Sequence, residues 1–269
     1  LNSITQGENM TYKPFDLSGK VALITGGNGG IGLGMADAIA QSGGAVAIWG
    51  TNEDKNAKAA EQLRKHGVKV YARKVNVANE QEVVDGMLAT VKELGRIDSV
   101  FANAGIGFGS PSFIEMTTET YRKVLSVNLD GVFWTLREAS RHMVERAKAG
   151  DPGGSLVGVA SLAAIEGAAR NQAYAATKGA VISIIKSCAV ELARYGVRAN
   201  AILPGWIATD MTAHAQAAPA FAEKVIPRVP ARRWGEPEDF GGVAVYLTSN
   251  ASSYHSGDTF VIDGGYAIF

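Results

Sequence analysis

The chain has 269 residues with 26 Lys+Arg and 26 Asp+Glu, and this zero net charge argues against a nucleic-acid backbone as the main partner. Hydrophobic residues make up 46% and charged residues 19%, which suffices for a large buried core. A single cysteine, Cys188, excludes an internal disulfide and fits a reducing compartment, and the scattered His66, His142, His214 and His255 have no metal-ligand spacing, so no metal is expected.

The N-terminus lacks the basic and apolar regions of a signal peptide, and no run reaches the ~20 apolar residues of a membrane span, so a cytoplasmic protein is expected. Met10 reads as a native start, with polar residues 1–9 upstream of it. A flexible tail over residues 1–13 and one domain over residues 14–269 follow from this reading.

From Lys20 onward, short apolar runs alternate with longer helical patterns. Strands are predicted at Val21–Ile24, Ala45–Trp49, Lys69–Val75, Asp98–Ala102, Leu156–Ala160, Val197–Leu203 and Thr259–Ile262. Helices are predicted at Ile31–Gln41, Asp54–His66, Glu80–Leu94, Thr118–Ala147, Ala173–Tyr195 and Pro237–Ser249, the fourth long enough to suggest a kink. Several strands are apolar on consecutive residues, as strands buried on both faces are. The expected fold is therefore a single-domain α/β structure, a doubly wound parallel sheet of about seven strands flanked by helices. Residues 149–154 are linker-like but too short to separate domains. Residues 206–230, with Pro219, Pro227 and Pro230, follow a strand end with weak periodicity and read as a lid.

Two segments carry chemistry. The first strand runs into Thr25-Gly26-Gly27-Asn28-Gly29-Gly30-Ile31-Gly32 and then a helix. Glycines here let the backbone approach a pyrophosphate, whose charge sits at the helix N-terminus. An ordinary tight turn is the bland alternative, and the strand before and helix after weigh against it. In the second segment, Tyr174 and Lys178 stand at i, i+4 on one helical face. A free phenol titrates near 10, and a neighbouring ammonium favours the phenolate, so the pair suits proton exchange with a hydroxyl/carbonyl couple. Alone, such a spacing is commonly a solvated helix face. Its company raises its weight: Ser161 follows the strand ending at Ala160, Asn103-Ala104-Gly105 follows the strand ending at Ala102, and Asn128 lies inside a helical stretch. A turn or capping role for Ser161, and a solvent-facing one for Asn128, are the plain alternatives.

In combination these motifs resemble the classical short-chain dehydrogenase/reductase family, from about Leu17 to the end. The loop matches Thr-Gly-x-x-x-Gly-x-Gly, though Gly29 and Gly30 also fit the form used by the extended branch; too few residues follow Lys178 for that branch's substrate domain. Asn128, Ser161, Tyr174 and Lys178 match the family's catalytic tetrad, and Pro204-Gly205 and Asp263-Gly264-Gly265 match further motifs. Ala102 departs from the pattern, standing where a further asparagine is common. The resemblance implies a Rossmann fold and an NAD(P)-dependent oxidoreductase interconverting a secondary alcohol and a ketone. Tyr174 would exchange the proton, Lys178 lower its pKa and bind the nicotinamide ribose, Ser161 orient the carbonyl, and Asn128 hold a relay water. Cofactor contacts are implied at Gly26, Asn28, Gly29, Gly30, Ile31, Gly32, Thr51, Asn52, Asn76, Val77, Asn103, Ala104, Gly105, Tyr174, Lys178, Pro204, Gly205, Ile207 and Thr209. A homotetramer pairing the helices around Thr118–Ala147 and Ala173–Tyr195 is implied as well.

The substrate stays open at this point. Ile106, Ala163, Ile165, Trp206 and the lid around Met211–Phe221 are candidate pocket residues whose apolar character hints at an apolar substrate body. A 3-oxoacyl-carrier-protein reductase and a non-catalytic dinucleotide sensor are the alternatives; retention of Tyr174 and Lys178 weighs against the sensor. After the second strand, Thr51 takes the place where NAD-preferring relatives carry Asp, and Asn52 the place where many NADP-preferring relatives carry Arg. With neither the excluding acid nor the attracting cation, NAD is expected to be preferred and NADP to be used measurably, unless Lys55 reaches a 2′-phosphate.

Overall fold

The computed structural model describes residues 12–107 and 109–269. The expected start at Met10 and the segment before it lie outside the described residues. Lys13, the last residue of the expected tail, opens a short 3₁₀ turn, Lys13–Phe15, and Phe15 packs against Tyr246 with ring centroids 6.4 Å apart.

Seven strands form one parallel sheet in the order β3-β2-β1-β4-β5-β6-β7: β1 Val21–Thr25, β2 Ala45–Gly50, β3 Val70–Lys74, β4 Ser99–Ala102, β5 Gly154–Val159, β6 Val197–Pro204 and β7 Thr259–Ile262. Successive residues of a strand point to opposite faces, and both faces are covered. Leu23 faces a core built with Val83, Met87, Leu136, Val181 and Ile185, whereas its neighbours Ala22 and Ile24 face one built with Met35, Ile39, Ala244 and Leu247. The first core is supplied by helices α3 Glu80–Leu94, α5 Gly131–Lys148 and α6 Gln172–Glu191. The second is supplied by α1 Gly30–Gln41, α2 Glu53–Arg64 and α9 Gly241–Thr248. The consecutive apolar runs of the strands thus have their explanation in two helix layers, and the doubly wound fold read from the sequence is the fold observed.

Differences from the expected elements are local. The predicted helix Thr118–Ala147 is two helices, α4 Thr118–Leu125 and α5, joined by a π-helical turn over Ser126–Asp130. A wide turn of this kind inserts without changing composition, so periodicity shows at most a kink. The last predicted helix starts as a 3₁₀ turn, Pro237–Phe240, in which Glu236 before Pro237 and Asp239 after it form a capping box. The lid segment is partly helical, with α7 Ala213–Gln216 and α8 Pro219–Val225. Helix α6 is long and apolar enough to cross a membrane by length and composition, contrary to the reading that no run is. It nevertheless lies against β5 and β6 and carries buried Lys178.

Candidate functional site

Strand order reverses between β1 and β4, so their C-terminal ends diverge and leave a crevice of the kind in which open α/β sheets bind ligands. Thr25 ties that divergence together. Its Oγ1 accepts from the Asn103 and Ala104 amides at 3.0 and 2.9 Å, and Asn103 Nδ2 donates back to the Thr25 carbonyl at 2.9 Å. Asn103, expected at the cofactor, is therefore held as a strut of the loop itself.

The glycine loop is pressed against this strut. Gly26 adopts a left-handed φ of +65°, and its amide donates to the Trp49 carbonyl at 2.7 Å. A Cβ on Gly32 would come within 2.3 Å of the Gly26 carbonyl and 2.6 Å of Asn103 Nδ2, which restricts that position to glycine. Gly29 caps α1 with no side-chain hydrogen bond, and the first turn carries no acid. The free amide end of α1 and this close-packed loop fit a pyrophosphate. Asn28 is oriented from below: its Nδ2 donates to Asn56 Oδ1 at 2.7 Å, and buried Asn56 donates to the carbonyls of Gly50 and Arg73 at 3.0 and 3.2 Å.

At the end of β2, a Cβ on Gly50 would lie 2.1 Å from Asn28 Nδ2, so no side chain fits there. The next residue, Thr51, is exposed. Asn52 is the N-cap of α2, its Oδ1 accepting from the Lys55 amide at 2.9 Å. Lys55 Nζ reaches across to Asp210 on the lid at 2.8 Å. Asn76 is exposed and turns its Oδ1 to the Ala78 amide, whereas Val77 is buried where Gly131 presses against it. Pro204 and Gly205 are locked to the Asp263 turn, since the Gly205 amide donates to the Ile262 carbonyl and a Cβ there would meet Asp263 Cβ at 2.6 Å. Thr209 leans over the start of α1, with its methyl 3.2 Å from the place of a Gly30 Cβ; Ile207 is buried beside Gly235.

The catalytic candidates meet at the same end of the sheet. Lys178 is buried, its Nζ donating to the Val159 carbonyl at 2.8 Å and lying 5.5 Å from the centroid of the Tyr174 ring. Removal from water lowers its pKa from 10.5 to about 8. Burial raises the Tyr174 phenol above its ordinary value, and a hydrogen bond with Ser161 works in the opposite direction. In the chain by itself burial is the larger cause, so the phenol lies above its ordinary value rather than below it as expected. Asn128 is fully buried in the π turn, with Oδ1 accepting from the Ile106 amide and Nδ2 donating to the Ile106 carbonyl, both at 2.8 Å. A Cβ on Gly105 would stand 3.4 Å from Asn128 Oδ1 and 3.5 Å from Lys178 Nζ, so the three positions converge.

Around this centre, Ile165 and Met211 are more than half exposed, and Met211 Sδ lies 3.8 Å from the place of a Gly107 Cβ. Trp206 packs edge-on against Phe221 and Trp234, at 4.9 and 6.1 Å, and serves the lid's own packing. Asn171 Oδ1 and Gln172 Oε1, just before Tyr174, are buried and accept no hydrogen bond. Thr25, Asn56, Asn171 and Gln172 were not singled out as site residues from sequence, and only Thr25, at the head of the glycine loop, carried a signal. Among the described residues, no three His, Cys, Asp or Glu side chains cluster as metal ligands would.

Comparison with known proteins agrees with this geometry. Residues 26–267 match a family model described as enoyl-(acyl carrier protein) reductase. The chain is 34% identical to gluconate 5-dehydrogenase of Gluconobacter oxydans, covering 94% of this chain and 97% of that one. It is also 34% identical to a 3-oxoacyl-[acyl-carrier-protein] reductase of Chlamydia pneumoniae, covering 93% and 97%. A crystal structure of a gluconate 5-dehydrogenase from Burkholderia cenocepacia in complex with NADP and tartrate superimposes with a TM-score of 0.88 at 34% identity, over 94% of this chain and 97% of that one. Matched over nearly its whole length, the chain belongs to the short-chain dehydrogenase/reductase family and is an oxidoreductase of CH–OH groups.

Proposed function

We propose that the protein interconverts a secondary alcohol and a ketone, with Tyr174 as the general acid/base. The observation that carries this reading is the buried Lys178 ammonium beside the Tyr174 ring, at the crevice end of the sheet. The hydride is what a nicotinamide dinucleotide supplies or accepts when bound. In reduction, Tyr174 donates its proton to the carbonyl oxygen; in oxidation it takes the hydroxyl proton. Burial raises the phenol above its ordinary value, a shift toward the protonated form that suits the donor role. Ser161, near enough to the phenol to oppose the rise of its pKa, directs the substrate oxygen to that proton. The side-chain amide of Asn128 bonds Ile106 through both its oxygen and its nitrogen, so it positions the β4 loop, and the second hydrogen of Nδ2 and second lone pair of Oδ1 are left for a relay water.

For the substrate, the unpartnered Asn171 and Gln172 oxygens support hydroxyl-rich molecules, since each would accept from a substrate hydroxyl. The gluconate dehydrogenases among the similar proteins point the same way. A second reading, reduction of a 3-oxoacyl group, is favoured by the exposed apolar side chains of Ile165 and Met211 at the mouth. NAD is the preferred cofactor, with NADP also used, and the working form is a tetramer in a reducing, cytoplasmic setting, consistent with the lone thiol of Cys188.

Tyr174→Phe keeps the ring and removes the acid. Turnover on a panel of polyhydroxy ketones and 3-oxoacyl thioesters should fall by roughly 10²–10⁴-fold, while dinucleotide affinity changes little. Turnover comparable to the parent protein on the best panel member would overturn the assignment, and the panel itself separates the two substrate classes.

A further inference from the structure

At the opposite end of the sheet, where the strands begin, lies a cavity of about 180 Å³. Lys20, Arg96, Arg146 and Arg198 line it together with Asp98 and Asp151. Both acids are already matched. Buried Asp98 pairs with Arg96 and Arg146 at 2.6 and 3.4 Å, and Asp151 pairs with the same two arginines at 3.3 and 2.9 Å. Among the described residues, Lys20 and Arg198 pair with no carboxylate, so two positive charges stand in excess around one hollow.

Arg198 is also short of hydrogen-bond partners. Its Nη2 donates to the carbonyls of Leu247 and Ser249 at the end of α9, at 3.0 and 3.4 Å. Its Nη1 is buried and donates to nothing. Ser155, the register partner of Arg198 on β5, carries a buried hydroxyl that is likewise unpartnered. Side chains at register positions of paired strands leave the same face of the sheet, so both orphan groups lie on one face. A buried donor left without an acceptor is costly, and the one on Arg198 belongs to a residue that lines the hollow. Water would satisfy the hydrogen bonds but not the charge. The carbonyl end of α9 offsets only a fraction of it. A tetrahedral oxyanion answers both needs, and at roughly 30 Å³ per displaced water the hollow has room for one.

We propose that this cavity binds a phosphate group, as inorganic phosphate or as the phosphate of a small monoester, at the end of the sheet remote from the dinucleotide crevice. Its donors would be Arg198 Nη1 and the Lys20 ammonium.

Calorimetric titration of the full chain with inorganic phosphate and with glucose 6-phosphate, at constant ionic strength, tests this. A saturable site is expected for at least one of the two, and the tighter one identifies the source of the phosphate. Lys20→Gln and Arg198→Met should each weaken it by tenfold or more without altering turnover. Phosphate held at the glycine loop would be indifferent to both substitutions, so undiminished binding in Lys20→Gln would overturn the proposal, as would the lack of any saturable binding up to about 10 mM. Should Arg198→Met fail to fold, Lys20→Gln decides alone, because Lys20 precedes β1 and, among the described residues, makes no ion pair whose loss would unsettle the core.

Discussion

Lys55 and Asp210 form an ion pair at 2.8 Å that joins the start of α2 to the lid. Both side chains are largely exposed, at 56% and 91%, so the pair contributes at most about 1 kcal/mol and is readily exchanged for another partner. It sits next to exposed Thr51, where the adenosine ribose is expected. Asp210 therefore holds a nearby cation that a 2′-phosphate would recruit. Asp210→Asn is expected to release Lys55 and to move the ratio of kcat/KM toward NADP by several-fold. Thr51→Asp should move it the opposite way by tenfold or more, about 1.4 kcal/mol. Measuring kcat/KM for both cofactors in the three proteins checks both shifts. A tenfold preference for NADP in the parent chain would overturn the NAD reading.

Lys178 places function in conflict with stability. Its pKa is about 8 in the folded chain against 10.5 ordinarily, a gap equivalent to roughly 3 kcal/mol. The folded value is the lower one, so between pH 8 and 10.5 the unfolded chain binds more protons and stability rises with pH. Below pH 8 the penalty of burying the charge is present in full. Lys178→Met should therefore stabilise the fold near pH 7 by on the order of 1–3 kcal/mol, since the Val159 carbonyl loses its donor in return. That advantage should shrink as pH climbs from 8 to 10.5, while turnover is lost throughout. Chemical denaturation of both proteins across this range is the measurement; an advantage independent of pH would contradict the buried-charge account.

Helix α6 has an apolar surface that its own chain leaves open. Of its twenty residues only Ala173, Thr177, Lys178, Val181 and Ile185 are buried, and Val190 is 83% exposed. At the C-terminus, Ile268 and Phe269 are also exposed. Apolar surface of this extent is expected to be covered by copies of the chain. Light scattering at micromolar concentration should give the mass of four chains, and the mass of one chain would refute the assembly.

How much of this was legible beforehand depended on the kind of interaction. The strands announced themselves because burial on both faces makes runs such as Val21-Ala22-Leu23-Ile24 continuously apolar. The glycine loop was legible because Gly26 and Gly32 are required by backbone conformation and close contact, which sequence records directly. Asn56 was invisible, since a buried asparagine in a polar helix looks like any solvated one until Asn28 and Gly50 arrive from elsewhere in the chain. The i, i+4 spacing located Tyr174 and Lys178 but carried no information on depth. Depth set the direction of both pKa shifts and reversed the one expected for Tyr174.

The π turn at Ser126–Asp130 sets a phase difference between α4 and α5. Each residue of an α-helix advances the chain by about 100°, so loss of one residue there would let the two helices merge into one regular ladder at that cost in angle. Asn128 would then swing away from both hydrogen bonds to Ile106 while the helix itself gained regularity. The segment is thus a place where shortening improves local order and dismantles the support of the β4 loop, so insertions and deletions are penalised there more heavily than substitutions on the helix surface.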